Sequence, residues 1–172
     1  MKKVIIVLTV ASLTLTAFKT NTMVIEKKKR ITSSEQMAER IVTALQHSSA
    51  KEYAAMFPSL SDFKEMMKES SEIYGKYLAE AQREFSIKYE TQLVPTVEHS
   101  FEELIDEGRA KGIDWSTIRF VGVESEEHPE HRYGPVPVTI VISSNGAEHR
   151  IHIERALVFH GQWKVSQFIK LA

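Results

Sequence analysis

The sequence predicts an α+β domain in which N-terminal helices pack on a curved antiparallel sheet. Two observations carry the prediction. The last third holds three apolar-alternating segments, 136–144, 148–159 and 163–171, separated only by Asn145-Gly146 and His160-Gly161-Gln162. Before them, from Ser33 to Gly112, apolar residues recur at helical rather than strand spacing. Helices first and an antiparallel sheet afterwards is the order of an α+β fold.

The first helix starts at Ser33-Ser34-Glu35-Gln36, a capping-box pattern, and Met37, Ile41, Ala44 and Leu45 carry it to about Gln46. A second short helix begins near Ser49, with Glu52 three residues on, and stops before Pro58. From Ser61, the residues Phe63, Met66, Met67, Ile73, Tyr74, Tyr77, Leu78, Ala81 and Phe85 continue the 3.6-residue period as one long helix or two abutting ones. A further helix follows Pro95, capped by Thr96, carries Phe101, Leu104 and Ile105, and ends at Gly112. Residues 115–123 read as a strand leading into the polar loop 124–134.

The turns set a register for the meander. Asn-Gly suits a two-residue type I′ hairpin, and a three-residue loop with a central glycine suits a turn plus bulge. Pairing Ser144 with Ala147 sets Ile142 opposite His149, Ile140 opposite Ile151, Val138 opposite Ile153 and Val136 opposite Arg155. Pairing Phe159 with Trp163 sets Leu157 opposite Val165, Arg155 opposite Gln167, Ile153 opposite Ile169 and Ile151 opposite Leu171. Both pairings gather the apolar residues on one face, which a one-residue slip would turn to water. His149, Arg155 and Gln167 interrupt that face.

At 172 residues, with 42% hydrophobic and 26% charged residues, the chain suits one globular domain. The formal charge of -1 and the scattered basic residues lack the footprint of a nucleic-acid binder. Met1-Lys2-Lys3 and the apolar run 4–17 have the form of a secretory signal, residues 1–17, too short and threonine-rich for a stable membrane span. Residues 18–32, with Lys27-Lys28-Lys29-Arg30, read as a solvated tether to a single domain at 33–172. The absence of cysteine excludes disulfides and thiol catalysis. Together these features predict a secreted or periplasmic protein.

Tyr53-Ala54-Ala55-Met56-Phe57-Pro58 closing a second helix, and Gly161-Gln162-Trp163-Lys164-Val165 opening the last strand, resemble the nuclear transport factor 2-like superfamily. The resemblance spans residues 33–171 and implies a cone: a concave sheet face covered by helices, with a cavity lined from both. Its members include ketosteroid isomerase and scytalone dehydratase, and they commonly associate through their sheets. The helical stretch 61–112 is longer than the usual pattern.

Arg155 opposite Gln167 on an apolar face is the leading hint of function, because a buried unpaired charge is costly. A small anionic or apolar ligand, held by Arg155, Gln167 and His149 with Tyr53 and Trp163, would account for it. An ion pair with Glu65, Glu69 or Glu72, or a sheet-edge arginine that snorkels to water, is the plainer reading. His128, Glu130 and His131 offer metal-ligand chemistry but at a spacing of no established site, so no metal is expected. His149 and His152 point to opposite faces and cannot chelate together. No nucleophile elbow, phosphate-cradling loop or dinucleotide fingerprint is present, so no cofactor is expected.

The expected function is therefore non-catalytic binding of a small molecule or a protein. The alternative is a small isomerase or dehydratase of the ketosteroid-isomerase kind, with Tyr53, Tyr74 or Tyr77 as donors and Asp62 or Asp114 as base. The reverse sheet face, with Ala156, Val158, Val141 and Phe168 among Arg150, His152 and Glu154, offers a homodimer surface.

Overall fold

In a computed structural model, which describes residues 30–125 and 136–172, helices are followed by a curled antiparallel half-barrel sheet. The expected signal (1–17), nearly all of the tether, and His128, Glu130 and His131 lie outside the described residues.

Helix α1 (Ser34–Gln46) is capped as expected by Ser33, whose hydroxyl accepts from the Gln36 N–H. Gln36 reaches back one residue further than a capping box requires, accepting from the N–H and hydroxyl of Thr32. Ser49 caps α2 (Ala50–Ala54) in the same way. Ser59 and Asp62 form a full capping box on α3 (Leu60–Glu69). The long periodic stretch then breaks. A four-residue helix α4 (Ser71–Tyr74) ends at Gly75, whose φ of 51° only glycine adopts freely. A 3₁₀ turn (Gly75–Tyr77) then leads into α5 (Leu78–Lys88).

Thr96 does not cap the last helix. The chain runs from α5 through a π-helical turn (Tyr89–Leu93) straight into α6 (Val94–Ala110), with Pro95 in its first turn. A proline ring clashes with the carbonyl four residues back and donates no hydrogen bond, and a wider turn ahead of Pro95 accommodates both. At the other end of α6, Gly112 (φ 82°) donates to the Arg109 carbonyl and Ile113 to that of Gly108, a Schellman stop.

Trp115 opens no strand. It lies in a 3₁₀ turn (Trp115–Thr117), fully in the core, with its indole N–H donating to the Ile105 carbonyl at 2.8 Å. Strand β1 (Arg119–Ser125) follows and bulges at Val121. Strands β2 (Val136–Ser144), β3 (Ala147–Phe159), β4 (Gln162–Val165) and β5 (Ile169–Leu171) complete the sheet in the order β1-β2-β3-β4, with β5 also paired to β3.

The β2–β3 register holds from Ser144↔Ala147 to Val138↔Ile153, as do Ile153↔Ile169 and Ile151↔Leu171. Beyond Ile153 the expected register fails on both sides. Val136 pairs with Ala156, not Arg155, and Phe159 pairs with Gln162, not Trp163. The second hairpin turn is two residues long, His160 (φ 49°) and Gly161 (φ 70°), the positive-φ pair of a type I′ turn.

Helices α1, α2 and α6 cover the concave face, and the core between them and the sheet includes Met37, Leu45, Tyr53, Phe101, Ile140 and Ile151. Fully burying each such side chain contributes on the order of 1.5–3 kcal/mol. Ile31 also packs there, so the folded unit reaches two residues ahead of Ser33. The free edge of β4 is closed by neighbouring chain: Trp163 N–H donates to Ile31 and Val165 N–H to Met56.

Candidate functional site

On the concave face, expected to line a cavity, the described residues form a buried apolar core. Tyr53 sits at its centre, stacked on Phe101 (centroids 5.1 Å apart) and edge-on to Phe57 (5.4 Å). Its hydroxyl is buried without a hydrogen-bond partner; the Ile169 backbone lies beside it outside hydrogen-bonding geometry. Burial therefore pushes the phenol well above its usual range, and the Ile169 backbone offsets this only in part. Trp163 is buried in the same core. Among the described residues no Asp, Glu, His, Lys or Arg is buried; the buried polar side chain is Ser144, which accepts from the Asp114 N–H. That interior offers no carboxylate to act as a base beside Tyr53.

The remaining expected site residues stand elsewhere. Gln167 points away from the core in the bend between β4 and β5, and Arg155 is exposed because β3 carries a β-bulge, three residues from Ile153 to Ala156 against two from Val138 to Val136 on β2. The extra residue reverses the alternation. Gln167 donates to Glu154 at 2.6 Å, and Lys170 donates to the other oxygen of that carboxylate at 2.6 Å. The Lys170 hydrogen bond and charge hold the Glu154 carboxyl below its usual range. His149, half-buried opposite Ile142, is nine residues along β3 from Val158, the partner of Trp163. At about 3.3 Å per residue, that is nearly 30 Å. The five residues form no common site.

Of the expected dimer face, Val141 keeps its place opposite Arg150 on the outer side of the sheet. Ala156, Val158 and Phe168 turn to the core, while the outer face carries Arg150 paired to Glu124 (2.9 Å) and Thr139 beside His152 (3.2 Å). Asp62 and Asp114 serve as helix and turn caps at the surface. Ser116 and Thr117 hydroxyls lower the Asp114 carboxyl.

What the structure leaves outward is a helical arm, residues 60–93. Its elements α3, α4 and α5 pack on one another around Phe63, Phe85 and Tyr89, with ring centroids 4.8–6.2 Å apart, and none of their residues is buried. Ile73 is 82% exposed and Tyr77 and Ile87 each 61%. Lys76 lies over the Tyr77 ring at 5.2 Å. Periodicity joins Ile73 and Tyr77 to the packed stripe, but the chain breaks at Ser70 and Gly75 and leaves both exposed, while Tyr74 stays half-buried.

The arm's root meets the second hairpin. Asp62 pairs with Lys164 at 3.3 Å, and His160 lies 3.3 Å from Glu69 and 3.9 Å from Glu65. Glu65 and Glu69 share a helix face in the sequence, but their partner is 91 residues from Glu69, beyond any local motif. A shallow groove of about 290 Å³ between Ser48 and α6 is lined by Phe101, Ile105 and Arg109, the last already paired with Asp106.

No protein-family model, curated protein or solved structure matches this chain. No helix among the described residues is long and apolar enough to cross a membrane.

Proposed function

We propose that this chain is an exported, non-catalytic protein-binding domain of the nuclear transport factor 2-like kind, engaging its partner through the helical arm. The carrying observation is the exposure of Ile73, Tyr77 and Ile87 on an arm with no buried residue of its own. Large apolar side chains left exposed on one outlying element are the kind of surface a partner covers. The enclosure of Tyr53 in the apolar core, with Arg155 exposed outside it, favours a protein partner over a small ligand. The basic start and apolar run 4–17 support export.

The arm carries seven acidic against five basic side chains, a net charge of −2. The partner it fits is a cationic amphipathic helix laid beside α5, its apolar face on Ile73 and Tyr77.

A photo-crosslinking residue placed at Tyr77 in the full chain, expressed in its own host, tests this. The expected result is one protein adduct from position 77 and none from Thr139 on the outer sheet face. Equal labelling from both positions, or none from 77, overturns the reading.

A further inference from the structure

We propose that Glu65, Glu69 and His160 form a divalent-cation site that fastens the root of the helical arm to the second hairpin. The two glutamates stand one turn apart on the same face of α3, and His160 reaches them from the tip of the β3–β4 turn. One ligand atom from each of the three lies within 4.8 Å of the others. Around a zinc-sized ion with bonds of about 2.1 Å, ligand atoms stand about 3.4 Å apart. The 3.3 Å between His160 Nε2 and Glu69 already matches, while Glu65 stands nearer the other ring nitrogen, 3.9 Å from Nδ1, and its carboxylate must swing toward Nε2 to share the ion.

The chemistry of the set is selective. Two carboxylates and one imidazole suit a borderline cation such as Zn²⁺, with water completing the shell, better than the all-oxygen preference of Ca²⁺ or Mg²⁺. The imidazole is also oriented: its ring stacks on Phe159 at 4.2 Å and 14°. The comparison within the molecule is His99, whose neighbours Glu102 and Glu103 lie on its own helix at 4.0 and 3.4 Å and bring no second element to the ion. An ion at His160 would bridge α3 to the β3–β4 turn through three protein ligands, leaving a position open to water.

The test uses the untagged full chain, stripped with chelator and titrated with Zn²⁺ by calorimetry and with Co²⁺ by visible absorption. One ion per chain is expected, and Zn²⁺ raises the thermal midpoint. His160→Asn, in which asparagine tolerates the positive φ of the turn, and Glu69→Gln each weaken binding by at least about tenfold and abolish the midpoint rise. His99→Ala leaves both unchanged. The proposal is overturned if no saturable binding occurs, if His160→Asn binds like the parent, or if binding instead disappears in a His128→Ala/His131→Ala variant. Partner binding by Ile73 and Tyr77 is unaffected by any of these outcomes.

Discussion

The Ser166 N–H and hydroxyl both donate to the carbonyl of Arg155, at 3.1 and 2.9 Å. These bonds close the β-bulge that turns the Arg155 side chain to water. Arg155 makes no ion pair among the described residues, so its removal takes away neither a buried charge nor a partner. Arg155→Ala is expected to change the unfolding free energy by less than about 0.5 kcal/mol in urea titration. A loss of several kcal/mol would place the guanidinium back inside.

A methyl group on Gly108 would meet Trp115 Cζ2 at 2.0 Å. The indole cannot withdraw cheaply, since it is buried and bonded to the Ile105 carbonyl. Gly108→Ala should therefore cost about 1–3 kcal/mol of overpacking, despite alanine's better helix propensity. Calorimetry should show a midpoint lower by several degrees; an unchanged or raised midpoint would mean that α6 and Trp115 pack more loosely.

Tyr53 enters the core with an unpaired hydroxyl. Tyr53→Phe keeps the stacking on Phe101 and removes the orphan, so stability at neutral pH should hold or rise by about 1 kcal/mol. The folded state raises the phenol's pKa above its ordinary 10.0, so its contribution is fully present below pH 10 and is lost as pH climbs toward the raised folded value. Alkaline unfolding curves should consequently separate above pH 10, with Tyr53→Phe the more resistant. Superimposable curves would show that Tyr53 ionises freely in the folded state.

Asp62 works in the opposite pH direction. Burial raises its pKa, but the Ser59 backbone and side-chain hydrogen bonds and Lys164 outweigh this, leaving a net depression below 3.8. Its contribution is thus present above pH 3.8 and fades as pH falls through the depressed value. Asp62→Ala removes the capping box and should cost about 1 kcal/mol at pH 7, with the gap to the parent shrinking in strong acid. A gap that persists unchanged below pH 2 would assign the effect to packing alone.

The sequence made the sheet legible wherever alternation ran unbroken. The pairs from Ser144↔Ala147 to Val138↔Ile153 follow from Asn145-Gly146 and strict periodicity, and the Ser33 and Ser49 caps follow from side chains that bond only their own turn. The candidate site was not legible, because its parity argument crossed a bulge. Glu154 and Arg155 look like two more alternating residues, and only the tertiary contacts of Ser166 with Arg155 and Lys170 with Glu154 reverse them. His160 was hidden for a related reason. His160 adopts the positive φ usually left to glycine or asparagine, so a loop expected to span three residues closes in two. The exposure of Ile73 and Tyr77 likewise depends on the break at Gly75, which a 3.6-residue period passes over.

The most direct measurement is a crystal structure of the full chain purified from its own host without added ligand, inspected between Tyr53 and the concave sheet face. The account predicts continuous packing of Tyr53, Phe101, Ile140 and Ile151 there, with Ile73 and Tyr77 projecting from the arm. Carried-over ligand density against the Tyr53 hydroxyl would contradict it and return the function to the interior.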